Sequence, residues 1–174
     1  MSQNIDLKKY IRNIPDFPKP GILFRDITTL LKDKRAFKVA VDTLVDKYKD
    51  KKIDYVVAVE ARGFILGGAI AHKLGAGFVP VRKKGKLPHK TKSVTYELEY
   101  GSDTLEMHND AIHPGAKVLI VDDLLATGGT VKAVCDLVKQ SEAKIEGIAF
   151  LIELTDLKGA DNLKGQNIFS LIKY

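Results

Sequence analysis

Two kinds of apolar spacing alternate along this chain. "RAFKVAVDTLVDKYKD" sets Phe37, Val41, Leu44, Val45 and Tyr48 three or four residues apart, the stripe of an amphipathic helix. "IDYVVAVE" (53–60) is instead a run rich in β-branched residues, which suits a strand covered on both faces. "GFILGGAIAHKLG" then predicts a helix closed by Gly75, and "GFVPVR" a short strand. "SVTYELEYG" alternates and predicts one arm of a hairpin, with "DTLEMH" as its partner. "KVLIVDD" predicts another buried strand, "GTVKAVCDLVKQS" a helix, "KIEGIAFLIEL" a further strand and "IFSLI" a last one. At the N-terminus, Ile5, Leu7, Ile11 and Ile14 predict a short helix, broken by "PDFPKPG", which cannot be a central strand. Strands alternating with helices define an α/β fold, a doubly wound and mostly parallel sheet flanked by helices.

Composition narrows the setting. A length of 174 residues with 45% hydrophobic positions suits a single domain, 1–174, with a real core. No apolar run is long enough to span a membrane, and "MSQNIDLKKY" has no signal-peptide core. The one cysteine, Cys135, excludes an intrachain disulfide and a thiolate metal cluster, and a reducing, cytoplasmic setting is expected. His72, His89, His108 and His113 are scattered without ligand spacing, so no protein metal ligands are expected. The 28 basic and 22 acidic residues leave +6, which fits a polyanion, whether nucleic acid or a small phosphorylated substrate.

The chemistry concentrates in "KVLIVDDLLATGGTVKAV". A buried strand ends in Asp122 and Asp123, and the loop Ala126, Thr127, Gly128, Gly129, Thr130 opens a helix. Ligands of open α/β sheets bind beyond the carboxyl ends of the strands. An uncapped helix N-terminus attracts phosphate, glycines let the backbone wrap it, and threonines add hydroxyl donors. Carboxylates repel phosphate but accept hydrogen bonds from sugar hydroxyls. Acids beside a phosphate loop therefore predict a ribose 5-phosphate. Neither GxxxxGK[ST] nor a strand-following GxGxxG occurs, which sets aside the P-loop and the dinucleotide fingerprint. Cations cluster after other strands: Arg62 follows "YVVAVE", and Arg82, Lys83, Lys84 and Lys86 lie in and beside the loop after "GFVPV".

"VLIVDDLLATGGT" resembles the phosphoribosyl diphosphate (PRPP) motif of type I phosphoribosyltransferases. "FPKPGILFRDIT", "EARGFILG", "VRKKGKLP", "YELEYG" and "LIELTDLKG" narrow the likeness to the adenine phosphoribosyltransferase family. Thr29 and Ala61 depart from the family's common proline and serine. The resemblance implies a small N-terminal base-binding hood (1–34) and a basic loop with a flexible lid hairpin (83–108). It implies purine salvage: transfer of the 5-phosphoribosyl group from PRPP to N9 of adenine, giving AMP and pyrophosphate. Asp122 and Asp123 would hold the ribose, and 126–130 the 5-phosphate. Arg62, Lys86 and Arg82 would take the pyrophosphate, with Arg82 reaching toward a dimer mate. Leu23, Phe24, Arg25 and Leu124 would take the adenine, and Glu99 would be the general base. Mg²⁺ would arrive with PRPP, the Glu60–Ala61 peptide would be cis, and the protein would be a homodimer that binds no nucleic acid or membrane. Two alternatives stay open: a type I transferase for a 6-oxopurine or orotate, and a non-catalytic PRPP-sensing regulator that binds RNA.

Overall fold

The computed structural model describes residues 5–97 and 101–174. The chain divides into two compact units, Met1–Thr43 and Leu44–Tyr174.

The first unit opens with one 3-10 turn, Leu7–Tyr10. Two short strands, β1 (Arg12–Pro15) and β2 (Leu23–Asp26), form an antiparallel pair, and helix α1 (Thr28–Lys32) follows. The expected N-terminal helix is thus a single turn followed by a strand. Arg12 reaches across the pair, its Nε and Nη2 donating to Asp26 Oδ2 at 2.9 and 2.6 Å. That cross-strand bond is a pull a helical period does not show. Thr29 Oγ1 donates to the Tyr10 carbonyl at 2.6 Å, so the residue standing where the family commonly has proline ties α1 to the opening turn. Helix α2 (Lys34–Tyr48) begins in this unit, with Asp33 Oδ1 accepting from Ala36 N–H at 2.8 Å, an N-terminal cap bond.

The second unit is built on a seven-stranded sheet. Its strands are β3 (Tyr55–Val59), β4 (Gly77–Lys83), β5 (Thr91–Glu97), β6 (Ser102–His108), β7 (Lys117–Leu125), β8 (Lys144–Glu153) and β9 (Ile168–Lys173). The spatial order is β5-β6-β4-β3-β7-β8-β9. The pairings β4–β3, β3–β7, β7–β8 and β8–β9 are parallel, and the β5–β6 hairpin adds antiparallel at one edge. Helices α3 (Arg62–Leu74) and α4 (Gly129–Lys139) make the crossovers. Four residues of β3 and most of β7 and β8 are buried, which is why their sequences run apolar without alternation. Gly75, at φ 66°, closes α3 as expected.

Two differences from the sequence reading matter for the site. Strand β7 does not stop at the aspartates but continues through them to Leu125, paired with β8 as far as Glu153. The segment after β8 is also structured, with 3-10 turns at Thr155–Leu157 and Gly159–Leu163.

Candidate active site

Strand β3 is flanked by β4 on one side and β7 on the other, and successive strands depart from it in opposite directions. This is a topological switch point, where the carboxyl ends of neighbouring parallel strands leave a crevice. The register Ala58–Val121 puts the end of β3 beside the middle of β7, just before its two aspartates. Arg62 follows β3, and Asp122 and Asp123 lie on β7 immediately beyond that register. Gly63, in the first turn of α3, permits the approach: a Cβ there would lie 2.8 Å from Asp122 Oδ1. A cavity of about 210 Å³ opens at this point, lined by Arg62, Asp122, Asp123, Leu124 and the loop 126–130.

The acids are electrostatically loaded. Asp123 is 6% exposed, and Arg62 Nη2 lies 2.9 Å from its Oδ2, as an ion pair without hydrogen-bond alignment. Asp122 Oδ1 accepts the Asp123 N–H at 2.9 Å. Burial pushes the Asp122 carboxyl well above its ordinary range, and the neighbouring Asp123 charge pushes it further. Burial also raises Asp123, against the pull of Arg62.

The loop beyond the acids opens helix α4. Gly128 is the residue before α4, in the left-handed region at φ 84°, and no side chain caps the helix. The N–H groups of Thr127 and Gly128 have no partner among the described residues. Such orphan donors at the positive end of a helix bind phosphate. Thr130 Oγ1 lies 3.4 Å from Tyr96 Oη of the hairpin.

The other expected cations gather elsewhere in this unit. Arg82 Nη2 and Lys86 Nζ lie 3.1 and 3.2 Å from Glu60 Oε2, and Lys83 N–H donates to Glu60 Oε1 at 2.6 Å. Burial raises the Glu60 carboxyl, but these three donors outweigh it and hold it below its ordinary range. Lys83 Nζ pairs with Asp103 at 3.0 Å. The Glu60–Ala61 peptide is cis. Glu60 was given no role from sequence; the signal available was a carboxylate at the end of a buried strand, two residues before Arg62.

Of the residues expected at the base, Leu124 lines the cavity, while Leu23, Phe24 and Arg25 lie on β2 of the first unit. Pro15 stands opposite Leu23 in the β1–β2 register and has no N–H to donate, so this is a non-hydrogen-bonded pair. By alternation Asn13–Arg25 is another. The main-chain groups of Leu23 and Arg25 therefore point away from β1, toward the opposite edge of β2. The Phe24 ring is braced edge-on by Phe17, centroids 5.1 Å apart. Glu99 lies outside the described residues.

A parallel sheet whose switch point joins buried acids to an uncapped phosphate loop defines a phosphoribosyl-transferring α/β domain, and residues 28–170 match the Phosphoribosyl transferase domain family. The adenine phosphoribosyltransferase of Desulfitobacterium hafniense is 59% identical over 170 residues, 98% of each chain. The crystal structure of adenine phosphoribosyltransferase from Thermoanaerobacter pseudethanolicus superposes with a TM-score of 0.94 at 53% identity, over 97% of this chain and 98% of that one. The Saccharomyces cerevisiae enzyme, complexed with an imino-altritol bisphosphate and adenine, gives 0.90 at 43% identity, over 95% and 96%. The chain belongs to the adenine phosphoribosyltransferase family.

Proposed function

We propose that the chain makes AMP and pyrophosphate from adenine and PRPP, a step of purine salvage. The observation that carries this is the single cavity wall joining Arg62, the two acids and the 126–130 loop, in a chain 59% identical to an adenine phosphoribosyltransferase. The Thr127 and Gly128 N–H groups and the Thr127 and Thr130 hydroxyls take the 5-phosphate. Asp122 and Asp123 accept hydrogen bonds from the ribose hydroxyls. Arg62, Arg82 and Lys86 take the pyrophosphate, and Glu60 holds the last two of these cations close together until it arrives.

The bond from C1 to the pyrophosphate oxygen breaks as the bond from C1 to N9 forms, and the purine loses the N7 proton. Glu99 is the base for that proton. Leu23 and Arg25 read the base with their main-chain groups at the edge of β2. A carbonyl accepts from the 6-amino group and an N–H donates to N1, a pattern that a 6-oxopurine would mismatch. An unpaired buried polar group costs about 1–3 kcal/mol, so two mismatches discriminate strongly. Phe24 offers an apolar ring face to the purine, and Leu124 lines the cavity.

No cluster of three or more His, Cys, Asp or Glu among the described residues could cage a metal. Asp122 and Asp123 are hard oxygen donors of the kind Mg²⁺ takes through water, so the ion fits as one carried in by PRPP. It would neutralise charge on the pyrophosphate. A cytoplasmic homodimer is part of the same reading, supported by family membership; no helix among the described residues is long and apolar enough to cross a membrane.

Incubation with labelled PRPP, Mg²⁺ and adenine tests the proposal. AMP and pyrophosphate should form in equal amounts, and AMP with excess pyrophosphate should return adenine. PRPP binding without turnover would favour a sensing role instead.

A further inference from the structure

The 126–130 loop is buttressed from outside. It leans on the 3-10 turn Gly159–Leu163, whose sequence carried no functional role. Asn162 Nδ2 donates to the Thr127 carbonyl at 2.7 Å. Just before it, the Ala126 carbonyl presses on Gly159, where an added Cβ would stand 2.1 Å from that oxygen. The contact is reciprocal, since a Cβ on Gly128 would lie 2.5 Å from the Gly159 carbonyl oxygen.

A trans peptide points its C=O and its N–H in opposite directions. The Ala126–Thr127 and Thr127–Gly128 peptides are trans. With both carbonyls turned toward the 3-10 turn, the N–H groups of Thr127 and Gly128 are turned the other way, toward the cavity that both residues line. These are the two donors without a partner among the described residues. We infer that Asn162, with Gly159 beneath it, is a positioning residue that aims the Thr127 and Gly128 N–H groups at the 5-phosphate. The inference rests on the proposed role of the loop as the 5-phosphate site.

Asn162 is exposed, so its replacement leaves the core intact. Asn162→Ala removes the donor. Asn162→Asp keeps the shape but sets an acceptor against the Thr127 carbonyl. Ribose 5-phosphate, which carries only this phosphate, and pyrophosphate, which carries none of it, are the calorimetric probes. Asn162→Ala should weaken ribose 5-phosphate binding and raise the KM for PRPP about tenfold, the effect of one lost hydrogen bond. Asn162→Asp should weaken both further. In each variant pyrophosphate binding, the KM for adenine and the thermal midpoint should stay within twofold or a degree or so of the parent. Ribose 5-phosphate binding unchanged in Asn162→Asp would overturn the inference, as would equal losses for all ligands. If the parent protein binds neither ribose 5-phosphate nor PRPP, the reading of the loop fails first and the inference falls with it.

Discussion

Asp122 lies against Asp123 with little water to share, and both carboxyls are raised above their ordinary range by burial. A raised carboxylate binds more protons folded than unfolded, so its contribution to stability falls as pH climbs from about 4 through the raised value. At neutral pH, therefore, the charged pair costs the fold stability. Asp122→Asn keeps an oxygen to accept the Asp123 N–H but removes one charge. It should raise the thermal midpoint at pH 7 by about 2–4 °C, the shift per kcal/mol for a chain of this size. The gain should vanish near pH 4, and the KM for PRPP should rise far more than that for adenine. A midpoint that drops at pH 7 would contradict the electrostatic account. Glu99 allows a second test. Glu99→Gln should cut turnover about 10²–10⁴-fold, the usual contribution of a positioned base, with little change in adenine binding. Glu97→Gln, at an exposed position on β5, should be near neutral. Rapid-quench kinetics on both variants decides it. The acid pair and the glycine loop that line the cavity were legible in the sequence because they are adjacent residues. Glu60 and Asn162 were not legible, because each acts on partners brought to it only by the fold: Arg82 and Lys86 from the end of β4, and the Thr127 carbonyl from the loop 35 residues back.

The central strands and the two crossover helices follow from runs of apolar residues long enough to have one reading. The first unit does not, since its elements are four or five residues each before α2. Ile5, Leu7, Ile11 and Ile14 satisfy a helical period over so short a span, yet 12–15 pair as a strand with β2, and Arg12 bonds Asp26, 14 residues away, across that pair. Hydrogen bonds from the Thr28 N–H and hydroxyl, with Arg12 beside them, hold the Asp26 carboxyl down at about 2. A depressed carboxylate stabilises above its unfolded value of about 4, and that stability is lost as pH falls toward about 2. Arg12→Ala should destabilise the protein by about 1–3 kcal/mol, because it strips a buried acceptor of its partner. Denaturant unfolding at pH 7 measures this, and the difference from the parent should shrink below pH 3. A neutral Arg12→Ala would show that β1 and β2 are held by their backbone pairing alone.

At the scale of the molecule, the sheet switch point of the second unit carries the cavity proposed for sugar and phosphates, and the first unit carries β2, at whose edge main-chain groups are proposed to read the base. The seven-stranded sheet could be read from strand–helix alternation, which is a global property of the sequence. The direction of the Leu23 and Arg25 main-chain groups could not, because it depends on Pro15 standing opposite Leu23. That edge is where the account places the choice of base, and base choice is also what separates this family from other transferases that use the same loop. An equimolar mixture of adenine, hypoxanthine, guanine and orotate, given PRPP and Mg²⁺ and resolved by chromatography, tests it directly. The account predicts AMP and no detectable IMP, GMP or orotidine monophosphate in early turnover. Comparable rates with a 6-oxopurine, or nucleotide from orotate alone, would contradict it.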